Sequence, residues 1–174
     1  YLVKGIVKEP EPGFSSIDLM FEKKYVDLPT LPLHNVYSMA VSGENLLVAQ
    51  NGKIEVYNAN TCEKIKDLAG HPGAIHQITN DAAGRIIAIS VSNGGTLAKI
   101  YKWENVNTTV PDIICQWTVE GTGTGIVGRN LLNVNGDITK DAVIYIAANA
   151  RTDIYRWTIT NGTFKTTIPE KLTY

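Results

Sequence analysis

Apolar and polar residues alternate over short runs along most of this chain, and Gly, Asn, Asp and Pro separate the runs. No long stretch repeats apolar residues at the i, i+3, i+4, i+7 spacing of a helix, so the pattern predicts an all-β chain. From Val36 onward the runs gather in fours. The first group lies at residues 37–41, 46–50, 53–58 and 63–68. The second lies at 75–79, 85–91, 98–103 and 112–118, and the third at 129–134, 142–148, 153–159 and 163–168. Asn51-Gly52 suits a two-residue hairpin turn, because both central positions tolerate positive φ. Residues 80–84 read as a longer loop closed by Gly84.

The third runs align without adjustment. Ile54-Glu55-Val56-Tyr57, Ile100-Tyr101-Lys102-Trp103 and Ile154-Tyr155-Arg156-Trp157 share the pattern Ile-x-x-aromatic. Four strands in a period of roughly 40–50 residues is the spacing of propeller blades. The expected fold is therefore four-stranded antiparallel blades of a β-propeller, near residues 36–69, 74–119 and 128–168, with a β-sandwich as the alternative. An aromatic at one place in every unit packs sheet against sheet. Part of an earlier unit is expected at residues 21–28, which end in Asp27-Leu28 as residues 63–68 end in Asp67-Leu68. Residues 1–16, with Glu9-Pro10-Glu11-Pro12-Gly13, read as an extended lead-in to a partial propeller over 17–174. Propellers close at typically ~4–8 blades, so the remaining blades are expected from sequence outside this chain or from another chain. A fragment of a larger propeller is the preferred reading.

Composition narrows the function. Apolar residues are 44% and charged residues 19%, an ordinary globular balance. Sixteen basic side chains against 17 acidic ones leave no basic field to neutralise phosphates, which argues against nucleic acid as the main partner. No apolar run nears the ~20 residues of a membrane span. Tyr1-Leu2-Val3-Lys4-Gly5 has neither the basic nor the apolar region of a signal peptide, and reads as the start of a processed or truncated product. Cys62 and Cys115 fall at similar places in neighbouring units, too far apart to bridge.

Two resemblances add to this reading. Residues 61–103 resemble a WD-repeat, through Cys62-Glu63-Lys64-Ile65-Lys66-Asp67-Leu68-Ala69-Gly70-His71 and the later Trp103-Glu104. In that family the His of the Gly-His pair joins a structural hydrogen-bond network within the blade. The run Ala98-Lys99-Ile100-Tyr101-Lys102-Trp103-Glu104-Asn105, with Pro111, Asn133-Val134-Asn135-Gly136-Asp137 and Ala142-Val143-Ile144-Tyr145, is similar to uncharacterised propeller domains of Bacteroides-type gut bacteria. That resemblance implies export to the periplasm or cell surface and a role in handling surface polysaccharide.

Candidate chemistry is sparse. Asn133, Asn135, Asp137, Thr139 and Asp141 place side-chain oxygens at alternate positions, as calcium loops do, though Asn-Gly-Asp also suits a plain turn. His34 and His71 fall between units, where a propeller gathers its loops at one axial face. Gly121-Thr122-Gly123-Thr124-Gly125 lacks the following helix and Lys of a phosphate-binding loop and reads as a connection between blades. No Ser/His/Asp or Cys/His set has usable spacing. The expectation is a non-catalytic binding or scaffold module acting on polysaccharide or protein, with no cofactor other than calcium. The competing reading is a lyase or hydrolase using His34, His71, Arg129 and Arg151 at the axial face of a complete ring.

Overall fold

Short alternating runs fold into strands, and the strands pair with their sequence neighbours. Sheet A has the order β1 (Val36–Ser42), β2 (Asn45–Gln50), β3 (Lys53–Asn58) and β4 (Lys64–Asp67). Sheet B has β5 (Ile75–Asn80), β6 (Ile86–Ser90), β8 (Leu97–Trp103) and β9 (Asp112–Thr118), while the two-residue β7 (Ser92–Asn93) leaves it after β6. Sheet C joins β10 (Ile126–Gly136), β11 (Ala142–Asn149) and β12 (Ile154–Thr160), flanked by β13 (Thr163–Phe164) and β14 (Glu170–Leu172). All pairings are antiparallel. The computed structural model describes residues 35–50, 52–70, 73–93, 95–119, 126–149 and 154–172, all within the unit 31–174. The lead-in, the partial unit at 21–28 and the glycine run at 121–125 lie outside the described residues.

The repeat extends to irregularities that the alternation does not display. The first strand of each sheet carries a register shift near its start, between Val36 and Ser38, Ile75 and Gln77, and Val127 and Leu131. These first strands also contact one another, β1 with β5 and β5 with β10.

Sheet B lies between the other two. All five residues of β6 are buried, which a strand achieves only when both its faces are covered. Ile86 and Ala88 pack with Leu47, Ala49, Ile54, Val56 and Leu68 of sheet A. Ile87 and Ile89 pack with Ile144, Ile146, Trp157 and Ile159 of sheet C. Each fully buried aliphatic side chain contributes about 1.5–3 kcal/mol, so these two seams dominate the stability of the stack.

The repeated aromatics are buried as expected, and the structure adds their direction. Tyr101 and Trp103 belong to the A–B seam, and Tyr155 and Trp157 to the B–C seam. The third strands of sheets B and C therefore turn these aromatics toward the preceding sheet. Tyr57 holds the same place in β3 and is buried, but it alternates with Ile54 and Val56. It lies on the face of sheet A turned away from sheet B.

One strand departs from expectation. The run 163–168 is split, with β13 and β14 both paired to β12. Between them Lys165 N still donates to Thr158 O at 3.0 Å, but the Thr167 carbonyl accepts from Trp157 Nε1 at 3.5 Å and lies 3.7 Å from Cys115 Sγ. Pro169 has no N–H to continue the ladder. Both cysteines are free and buried, Cys62 in the turn before β4 and Cys115 within β9. Burial pushes the Cys115 thiol up to about 11.

Candidate functional site

The densest polar cluster joins the β5–β6 turn to the β10–β11 turn. Asp81 follows β5, and its side chain is fully buried. Its Oδ1 accepts the N–H groups of Ala83 at 3.0 Å and Arg85 at 2.9 Å, which shapes the turn, and its Oδ2 accepts Ile138 N of sheet C at 3.3 Å. Arg85 donates from Nη1 to Asp81 at 2.8 Å and to Asp137 at 2.7 Å, from Nε to Glu104 at 3.0 Å and from Nη2 to Thr139 at 3.2 Å. Asp137 Oδ1 also accepts Thr139 Oγ1 at 2.7 Å and Thr139 N at 2.9 Å. These Thr139 bonds, followed by the Arg85 guanidinium, hold the Asp137 carboxyl well below the usual range. Gly136 fixes the approach: its φ is +101°, and a Cβ there would stand 2.3 Å from Asp141 O.

A second polar cluster lies on the outward face of sheet A. Lys64 Nζ reaches Glu55 at 2.9 Å and Asp67 at 2.7 Å. Gln50 and Tyr57 both donate to the other Glu55 oxygen. Burial pulls the Glu55 carboxyl up, but the bonds from Lys64, Tyr57 and Gln50 outweigh it and set it below the ordinary value. This cluster satisfies itself.

Two adjoining hollows of about 260 and 340 Å³ lie where β9 meets the split edge of sheet C. Gln116 and Thr167 line both. Trp117, Tyr155, Ile168 and Pro169 supply apolar surface to the first, with Thr118 and Lys171 as polar neighbours. Trp117 packs edge-on to Trp157 at 4.6 Å, and its buried Nε1 has no hydrogen-bond partner among the described residues. Among the described residues no carboxylate lines either hollow. The described lining is amphipathic, with Lys171 as its cation.

Asp137 and Thr139 meet in the turn, where Arg85 joins them. Asp141 Oδ1 accepts Asn161 N at 3.0 Å. Asn133 and Asn135 are exposed on β10, opposite Tyr145 and Val143. Among the described residues no group of three or more His, Cys, Asp or Glu side chains is placed to hold a metal ion. His34, His71 and Arg151 lie outside the described residues, as does the side chain of Arg129. Among the described residues no helix is long and apolar enough to cross a membrane. Arg85 and the hollows went unremarked in the sequence. Arg85 meets Asp137 and Thr139 only through the fold, across 52 and 54 positions.

A family model described as a domain of unknown function, DUF8500, matches residues 20–173. The chain belongs to this family. No curated protein matches the DUF8500 chain. A crystal structure of a DUF4623 family protein from Bacteroides eggerthii shares its fold, with a TM-score of 0.61 at 20% identity. The match covers 79% of the DUF8500 chain and 35% of the Bacteroides protein.

Proposed function

We propose that the three sheets are successive blades of a β-propeller, and that the domain is a non-catalytic binding module of an exported bacterial protein. Its ligand on this reading is a neutral polysaccharide, held in the hollows between β9 and the split edge of sheet C. The blade reading is supported by the shared register shift, the contacts among first strands and the common direction of the third-strand aromatics. The ligand reading rests on one observation, the lining of the hollows. Ile168, Pro169 and Trp117 offer apolar surface to the flat faces of sugar rings, while Gln116, Thr118 and Lys171 offer hydrogen bonds to hydroxyls. A described lining without carboxylates suits a neutral chain better than a cationic one.

Screening against a panel of neutral and charged glycans, followed by calorimetry on the best binder, tests this. Gln116→Ala and Lys171→Ala each remove one hydrogen-bonding group from an exposed position. Each should weaken binding about 5-fold, the equivalent of about 1 kcal/mol. Glycan binding that both substitutions leave unchanged places the site elsewhere, and no binding to any neutral glycan refutes the ligand class.

A further inference from the structure

The two outward faces of the stack are unequal, and each matches one half of a seam already formed inside the molecule. Register makes the correspondence explicit. Met39 pairs with Val48, which pairs with Glu55; Ile78 pairs with Ala88, which pairs with Tyr101; Leu132 pairs with Ile146, which pairs with Tyr155. Ile78 and Leu132 are buried against the preceding sheet. Their counterpart Met39 is 57% exposed, and Val41, two residues along the same face, is 60% exposed. Tyr57 and Val48 on that face are buried, so the exposed apolar strip follows β1.

At the other end, sheet C presents the face that sheets A and B each turn toward their following sheet. Tyr145, Ala147 and Ile154 there hold the places that Leu47, Ala49 and Ile54 hold in sheet A. The latter three are fully buried in the A–B seam, whereas the sheet C residues are half-buried. Arg156 of sheet C, which pairs with Glu170, stands where Val56 stands in sheet A, and Glu55 of sheet A, which pairs with Lys64, stands where Tyr101 stands in sheet B. Val56 and Tyr101 share the A–B cluster, so the same docking would bring these two ion pairs into one seam.

We propose that these faces bind one another between two copies of the chain. The outward face of sheet A in one copy packs on the outward face of sheet C in the other. Each contact joins unlike faces, and made twice about a two-fold axis it closes the pair. With the sheets read as blades, the pair is a six-bladed ring; that closure rests on the propeller reading, whereas the pairing of faces rests on register and exposure alone.

Sedimentation velocity over a concentration series tests the pairing. Wild type is expected to dimerise. Met39→Glu and Tyr145→Lys are each expected to be monomeric, because a charge enters an apolar seam. An equimolar mixture of the two variants is expected to recover a dimer, since one of its seams is wild type on both sides and the other sets Glu against Lys. Far-UV circular dichroism reports whether each variant folds, and Val41→Glu substitutes for Met39→Glu if the latter does not. A wild-type monomer at every concentration overturns the proposal and gives the faces to other sheets of a longer polypeptide. A dimer that withstands both substitutions, or variants that fail to recover on mixing, overturns it as well. Glycan binding by the monomeric variants separates a failure of this pairing from a failure of the proposed ligand site.

Discussion

The A–B and B–C seams join sheets of the same build, yet they are fastened differently. Among the described residues no ion pair crosses the A–B seam, though Lys66 Nζ of β4 donates to Asn107 Oδ1 at 3.1 Å. Ser38 Oγ donates to His76 O and accepts Ile78 N, both at 2.9 Å, and Trp103 Nε1 donates to Ala69 O at 2.9 Å. Tyr37 stacks on His76 with ring centroids 3.5 Å apart. The turn of sheet A touches that of sheet B through one long bond, Ser42 Oγ to Gly84 O at 3.5 Å. At the B–C seam the corresponding turns are bound by Arg85, Asp81, Asp137 and Thr139, and the core holds the Trp117–Trp157 pair. A repeated backbone thus carries two kinds of seam. Apolar burial is common to both, and the charged latch is peculiar to one. The charged latch should therefore give the B–C seam a response to salt, and to pH below about 4, that the contact between the turns of sheets A and B lacks.

The largest expected effect comes from emptying the B–C core. Trp157 is almost wholly buried, and Trp157→Ala should cost about 3–5 kcal/mol by chemical denaturation. A loss below about 1 kcal/mol would mean that sheet C does not pack on sheet B through this residue. Next comes the latch. Arg85→Met keeps much of the side-chain length but leaves the buried Asp81 carboxylate without its cation, and about 1–3 kcal/mol should be lost. The smallest effect separates the seams most cleanly. Asp137 has its native carboxyl held below the ordinary value of about 3.9, so the stability it contributes is complete above that pH. That contribution should fade as pH drops below about 4 toward the depressed native value. Asp137→Asn should flatten this acid limb of the stability profile. Ser38→Ala, at the A–B seam, should cost about 1 kcal/mol and leave the limb unchanged. An acid limb identical in all three proteins would mean that the charged latch is not where the seams differ.

Most strands were legible because they have one apolar face, which alternation records directly, while β6, buried on both faces, reads as a short apolar run. Residues 53–58 and 112–118 fall on the observed strands to the residue. The Ile-x-x-aromatic runs also announced the repeat. Three features stayed out of reach for physical reasons. β7 pairs through only two residues with β10, too few to make a pattern. The split of the last strand depends on a carbonyl turned toward Trp157, a tertiary contact. The latch depends on residues that meet only after two sheets have stacked. The candidate site was less legible still. Alternating oxygens at 133–141 suggested a cation loop, but a turn and a strand present the same string. The structure distributes those residues between the two and sets Arg85 beside Asp137. The hollows could not be foreseen because their walls, mainly 113–118 and 164–171, meet only after sheets B and C have stacked.

The central claim is that sheets B and C stack with the third-strand aromatic of the later sheet turned toward the earlier one. A double-mutant cycle across that seam tests it most directly, with Trp117→Leu and Trp157→Leu measured singly and together by equilibrium denaturation. Edge-on rings with centroids at 4.6 Å predict a favourable coupling of about 0.5–1.5 kcal/mol. Additivity within about 0.3 kcal/mol would contradict the stack, because residues without a shared contact simply sum.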